Sequence, residues 1–288
     1  MINFNNFVFS EKPFNHFVCD NFIENNIFKE LKSQIDMMFI DFENNEYGQT
    51  DVVERFDPGK ERGIVKFFSG GNIKTNAKNH LIKASERYEG PLKKVLNTLS
   101  DPKVQIKLYR ALVNKSFSEP ITLKPLRVIP QEKKISLLEF IFFRNVYISF
   151  KLSAYSSNIG LYQHIDHPDK VTALLLYLGF SDGFDRSGLG TQIYKVKEEF
   201  KCWSKNAGYT LDYFEKDKLV MEKDIYPKPN RLFGFKKSRE SWHAVDPINL
   251  PQNVTRNTLQ INIYRSRNYS GLLSSIIEVL RKIKNLVK

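Results

Sequence analysis

Over residues 24–38, ENNIFKELKSQIDMM, apolar side chains fall at Ile27, Leu31, Ile35 and Met38. That spacing of three and four predicts an amphipathic helix, and Asn25 or Asn26 supplies its cap. A second helical stretch over about 76–98 is interrupted by Gly90-Pro91, and GQTDVVERFDPGKERG between the two reads as loop. From about 104 the texture changes. VQIKLYRALV, ITLKPLRVI, SLLEFIFF and VYISFKLSAY are short β-branched and aromatic runs, punctuated by Pro, Asn, Lys and Ser, and they predict strands. Further strands are predicted over 171–180, 190–196, 231–235 and 258–264. About eight strands in half of the chain predict a sandwich or a barrel-like pair of sheets. The final stretch, 271–288, returns to helical spacing. Leu272, Leu273, Ile276, Leu280, Ile283 and Val287 line one face, with Arg281, Lys282, Lys284 and Lys288 near the end.

Composition narrows the class. With 288 residues, 41% of them hydrophobic and 26% charged, the chain can bury a sizeable core and is not of disordered composition. No stretch offers about 18 consecutive apolar residues, so no membrane-spanning helix is predicted. The formal charge of +12 favours acidic partners: nucleic acid, anionic lipid, or a phosphorylated or carboxylated substrate. No aromatic-basic motif of an RNA-binding module accompanies it. Cys19 and Cys202, the only cysteines, make neither a disulfide framework nor a thiolate metal site. The start, MINFNNFVFSEKPF, lacks the basic and apolar regions of a signal peptide. Together these point to a cytoplasmic location.

An imidazole-based metal site must draw on His16, His80, His164, His167 and His243. His164 and Asp166 stand two residues apart just before the apolar run at 171–178. On extended backbone, residues i and i+2 share a face, so an imidazole nitrogen and a carboxylate oxygen converge. His243, after RLFGF, supplies a third donor from elsewhere in the chain. Two histidines and one carboxylate suit non-haem Fe(II) with open positions, and Zn²⁺ competes on donor type alone. Arg256 begins the run RNTLQINIY thirteen residues past His243. Its guanidinium fork matches a carboxylate, and Thr258, two residues on, shares its face. His167 would point away from the face of His164 and Asp166, and neither His16 nor His80 has a supporting pattern.

The stretch YSSNIGLYQHIDHPDKVTALLLYLGF, then SGLGTQIYK, His243-Ala244-Val245-Asp246-Pro247-Ile248 and Arg256-Asn257-Thr258-Leu259, resembles the 2-oxoglutarate/Fe(II)-dependent dioxygenases, in particular the prolyl-4-hydroxylase-like branch. Order and spacing match over about 150–265. PFNHFVCDNFIENNIFKEL resembles the family's opening strand and helix more loosely. The resemblance implies a mainly β fold with bracing helices, a double-stranded β-helix or cupin-like jelly roll. It forms a single domain over 1–270, with helical support over about 1–103 and a jelly-roll core over about 104–266. The amphipathic basic helix 271–288 follows, either packed on the domain or in contact with a membrane surface.

The resemblance also implies that His164, Asp166 and His243 bind Fe(II) and that Arg256 pairs the distal carboxylate of 2-oxoglutarate. Tyr177 and Tyr155 match tyrosines that line the family's cosubstrate pocket, or are packed core aromatics. The implied reaction consumes O₂ and 2-oxoglutarate, with ascorbate as an optional reductant. It releases succinate and CO₂ while hydroxylating a C–H bond of a small molecule or a protein side chain. Halogenating relatives carry Gly or Ala at the position of Asp166, so the carboxylate favours hydroxylation. Two features depart from the family: Gly188 and Gly190 are separated by Leu189, and 197–230 is longer than a minimal jelly roll needs. A jelly roll that binds a ligand without turnover, and a Zn²⁺ hydrolase on a cupin-like fold, are the competing readings. The second gives Arg256 no role.

Overall fold

The computed structural model describes residues 1–43, 52–54, 65–68, 90–101, 103–104, 106–108, 126–129, 133–155, 161–184, 186, 189–200, 216–246, 249–251, 254–271 and 273–278. Strands β1 (Phe7–Ser10) and β2 (His16–Cys19) lead into helix α1 (Asn25–Glu43). Strands β3 (Val52–Glu54) and β4 (Val65–Phe68), helix α2 (Gly90–Ser100), strand β5 (Leu126–Val128) and helix α3 (Leu137–Phe142) follow. The remaining strands are β6 (Arg144–Tyr155), β7 (Leu161–His164), β8 (Lys170–Phe180), β9 (Thr191–Val196), β10 (Leu219–Ile225), β11 (Arg231–Lys236), β12 (Trp242–Val245) and β13 (Arg256–Arg265). A large sheet runs β1-β2-β11-β8-β13-β6-β4-β3, with β5 alongside β6, and a small sheet runs β10-β9-β12-β7. From β6 onward the chain therefore passes back and forth between two antiparallel sheets of four strands each. The fold is a double-stranded β-helix.

Side-chain alternation gives the large sheet two different faces. Leu174, Leu176 and Leu178 of β8, and Leu259, Ile261 and Ile263 of β13, pack with Leu31, Ile35, Leu92, Val95 and Leu99 of the helices. The intervening residues Ala173, Leu175 and Tyr177 pack instead with Ile193, Ile225, Phe233 and Phe235 between the sheets. Both faces of β8 are covered, which is why its sequence is a continuous apolar run rather than an alternating one. Gly234 of β11 leaves room at its pairing with Phe17 and Leu174. A Cβ there would lie 2.5 Å from Leu174 Cδ2 and 2.6 Å from the Phe17 ring. Asn230 closes the β10–β11 turn in a left-handed conformation with φ 63°. Its side-chain amide donates to Ile23 O at 2.6 Å and accepts from Ile23 N at 2.8 Å, tying the N-terminal segment to the sheet.

Two strand expectations are corrected. SLLEFIFF forms helix α3, started by a capping box in which Ser136 Oγ accepts from Glu139 N at 3.3 Å and Glu139 Oε2 accepts from Ser136 N at 3.0 Å. Residues 103–104 and 106–108 are also helical, so the described start of VQIKLYRALV is not a strand. Apolar content alone does not separate a short strand from a buried or exposed helical turn. Within GQTDVVERFDPGKERG, Val52–Glu54 forms a strand paired with β4 rather than loop. The long 197–230 segment contributes β10 to the small sheet; its residues 201–215, like 76–89, Gly188, Pro247, Ile248 and 279–288, lie outside the described residues. No helix among the described residues is long and apolar enough to cross a membrane.

Candidate metal centre

His164 closes β7, Asp166 follows it, and β12 pairs with β7 in a register that sets His243 opposite His164. The two imidazole centroids are 4.3 Å apart. One donor atom from each of His164, Asp166 and His243 lies within 4.8 Å of the other two. Along β12, Trp242 and Ala244 join the apolar layer with Ile165 and Tyr194. The alternation sends His243 to the other face, where its ring meets Phe235 at 4.7 Å between centroids. His243 Nδ1 lies 2.9 Å from Ser241 O. A carbonyl can only accept, so Nδ1 carries the hydrogen and Nε2 presents its lone pair to the cluster.

The electrostatics suit a cation. Burial lowers the pKa of His243 to about 3, helped by His164 and opposed by Asp166, so the ring is neutral near pH 7. Burial alone would raise the Asp166 carboxyl. The Lys170 ammonium and the imidazoles of His243 and His164 together outweigh it and hold the group below the ordinary carboxylate range. Lys170 Nζ donates to Asp166 Oδ1 at 2.5 Å. The other oxygen, Oδ2, is buried without a hydrogen-bond partner, 3.9 Å from His243 Nε2. An orphaned carboxylate oxygen facing two imidazoles is costly unless a cation satisfies it. This donor set fits a divalent Fe or Zn ion and is too nitrogen-rich for Mg²⁺ or Ca²⁺.

The inner face of the large sheet carries a second polar group. Arg256 is buried at the start of β13, where its Nη1 donates to Leu189 O at 2.6 Å and to Gly190 O at 3.3 Å. Gly190 belongs to the turn in which Leu189 separates the two glycines. A Cβ there would fall 1.9 Å from Ile225 O, so only glycine lets this backbone close on β10 and offer its carbonyl to Arg256. Thr258 pairs with Tyr177 across β13 and β8. The Thr258 hydroxyl is buried without a hydrogen-bond partner, and Tyr177 OH donates to Thr191 Oγ1 at 2.6 Å. Burial raises the Tyr177 pKa to about 12, partly offset by Thr191 and by the charge of Arg256. Asp224 is also within electrostatic reach of Arg256; burial raises its carboxyl above the ordinary range. Tyr155 is the register partner of Arg256 on β6, and its side chain lies outside the described residues.

The structure thus brings together His164, Asp166 and His243, and separately groups Arg256 with Tyr177. His167 is exposed beside them, its Nδ1 accepting from Asp169 N at 3.2 Å. His16 is buried on β2, its ring against Phe14 and Phe233. The residue that sequence reading missed is Lys170. Its one available signal was a charge four positions beyond Asp166, at the mouth of an otherwise apolar strand.

No protein-family model matches the chain, and no curated protein does. Among solved structures, the chain is similar to a Pseudomonas putida prolyl-4-hydroxylase, at 11% identity and a TM-score of 0.42, over 88% of this chain and 92% of that one. It is similar to AviO1 from Streptomyces viridochromogenes at 11% identity and a TM-score of 0.47, over 89% and 92% of the two chains. SnoN, a non-haem α-ketoglutarate-dependent epimerase from nogalamycin biosynthesis, matches at 7% identity and a TM-score of 0.48, over 87% and 78%. These scores all lie below 0.5, and the fold stated above rests on strand order and register alone.

Proposed function

We propose that the chain is an Fe(II)- and 2-oxoglutarate-dependent oxygenase that hydroxylates a C–H bond of a small molecule or a protein side chain. The observation that carries this reading is the buried cluster of His164, Asp166 and His243, in which Asp166 Oδ2 is left without a hydrogen bond. A buried arginine, Arg256, stands on the same inner face of the double-stranded β-helix. Fe(II), when bound, supplies the activation of O₂ coupled to decarboxylation of the keto acid.

His164, Asp166 and His243 would hold the ion. His243 is neutral and oriented by Ser241 O, so no proton must leave it before it ligates. Lys170 occupies Asp166 Oδ1 and leaves Oδ2 as the donor, favouring a carboxylate that ligates through one oxygen and keeps neighbouring positions open. Arg256 would pair the distal carboxylate of 2-oxoglutarate in a water-poor setting, where charge-assisted hydrogen bonds are strong. Thr258 would add a hydroxyl donor, and Tyr177 would line the pocket with its phenol protonated at neutral pH and donated to Thr191 Oγ1. The family resemblance would put Tyr155, the register partner of Arg256, in the same pocket. Leu175, Ile193, Phe233 and Phe235 form an apolar wall between the sheets that keeps water away from the reacting group.

The test is anaerobic titration with Fe(II) and 2-oxoglutarate, following the weak visible metal-to-ligand band, and succinate release once O₂ is admitted. His243→Ala should abolish the band. Arg256→Ala should keep metal affinity but weaken 2-oxoglutarate binding about tenfold to a hundredfold, the range for a lost hydrogen bond to a charge. A band unchanged in His243→Ala would reject the third ligand. Metal binding without succinate would favour the ligand-binding jelly roll, and hydrolysis that persists without O₂ would favour the Zn²⁺ enzyme.

A further inference from the structure

Two rows of the large sheet start at the metal cluster and end on polar groups that bond to nothing described. In the first, Phe235, whose ring meets His243 at 4.7 Å, pairs with Ala173, and Ala173 pairs with Asn262. In the second, Lys170, the donor to Asp166 Oδ1, pairs with Tyr264, and Tyr264 pairs with Tyr147 of β6. Alternation fixes the face. Val146, Leu259, Ile261 and Ile263 pack with the helices, so Tyr147, Asn262 and Tyr264 point between the sheets, on the side of His243 and Asp166.

These side chains lack partners. Asn262 is 3% exposed, yet its carboxamide makes no hydrogen bond with a described residue. A carboxamide so buried ordinarily spends its donors and acceptor inside the protein. Tyr147 and Tyr264 stack with centroids 5.2 Å apart and planes 13° from parallel, and neither hydroxyl bonds to a described residue. Burial pushes both phenols up to about 12, so near pH 7 each keeps its hydrogen and can donate as well as accept. The charges beside them are already matched, Lys170 with Asp166 and Arg267 Nη2 with Asp169 Oδ1 at 2.5 Å. A cross-strand tyrosine pair stabilises a sheet by itself, but that leaves the carboxamide of Asn262 unexplained.

We infer that Asn262, Tyr264 and Tyr147 form the subsite for the molecule to be oxidised, and that this molecule presents an uncharged, polyhydroxylated ring, as a sugar does. The inference rests on the oxygenase reading for the identity of the reacting centre. A hydroxyl group both donates and accepts, so the phenols and the carboxamide each find a match in it. The tyrosine rings offer apolar surface to the C–H face of such a ring, and a few placed polar groups against an aromatic wall are what orient a small ligand. An anionic substrate, which the net charge of +12 alone would favour, meets no unmatched cation among the described side chains of this subsite.

The experiment is saturation-transfer NMR on the full chain without added metal. Maltose, methyl mannoside and myo-inositol are the neutral probes, glucuronate the charged one, and a proline-containing tripeptide the peptide one. At least one neutral probe is expected to receive saturation and to bind more tightly than glucuronate or the peptide. Tyr147→Phe/Tyr264→Phe keeps both rings and removes both hydroxyls, and Asn262→Leu removes the carboxamide at similar volume. Each should weaken binding of that probe about tenfold, the loss expected for one or two hydrogen bonds, with no drop in thermal stability. In the complex with Fe(II) and 2-oxoglutarate, the same probe should shift the metal-to-ligand band. Transfer to no neutral probe, equal or tighter binding of glucuronate or the peptide, either variant binding like wild type, or a band that the probe leaves unmoved overturns the inference. Probe binding is read without iron, so its failure is told apart from failure of the oxygenase reading, which is seen as a missing metal band.

Discussion

Lys170 is the side chain whose role separates a metal site from a coincidence of donors. Its ammonium fills one oxygen of Asp166 and leaves the other facing two imidazoles. Removing it without removing volume, as in Lys170→Met, should weaken Fe(II) binding about tenfold to a hundredfold, the usual consequence of losing a group that orients a ligand. Anaerobic calorimetric titration with Fe(II) measures this directly. A gain in affinity would show instead that the ammonium competes with the ion. The donors themselves were legible in the sequence because the His-x-Asp spacing and the position of His243 are chemical patterns. Lys170 was not, because nothing in a single sequence says which of 44 Lys and Arg residues folds back onto a carboxylate.

Among the elements, strands with both faces covered were the easiest to read. VTALLLYLGF, RLFGF and TLQINIY announced β8, β11 and β13 through apolar density, and the structure places all three side by side. Gly234 is the point where β11 meets Phe17 and Leu174 most closely. Gly234→Ala should therefore destabilise by about 1–3 kcal/mol through overpacking, read as a lowered denaturant midpoint with unchanged slope. Short elements were harder. SLLEFIFF has strand-like content, yet the Ser136–Glu139 spacing is the signature of a capping box, and that local signal outranked apolar density.

Glu139 gives helix α3 a pH signature. Its folded pKa is held at about 2, against an ordinary 4.5, chiefly by Lys133 and the Ser136 backbone. A depressed carboxylate binds fewer protons folded than unfolded. Its contribution is thus complete above about pH 4.5 and is lost as pH falls toward 2. Between those values the melting temperature of wild type should fall more steeply than that of Glu139→Gln, and parallel pH profiles for the two would refute the ion-pair account.

For the whole molecule, the number and spacing of the predicted strands carried a paired-sheet architecture, and the family resemblance carried the jelly-roll order. Neither carried the split into a helix-facing and a site-facing surface, because that split depends on pairing register. The long 197–230 segment illustrates the limit. It is longer than a minimal jelly roll needs, yet Leu219–Ile225 within it is the edge strand of the small sheet, with Val220 to Lys223 exposed. The basic charge likewise named acidic partners only in general.

The pairing of His243 with His164 has a consequence in time. The two residues are 79 positions apart in the chain (243 − 164), and they meet only through the β12–β7 ladder. Closing so long a loop is among the slower events available to a folding chain. No partly folded species with only the β8–β11 ladder formed can offer all three donors. An ion held by these three donors would therefore be held by the finished architecture, and its binding energy would be withheld from every earlier species. A site so built would work as a latch: it would do little to hasten assembly, and it would stabilise the finished fold.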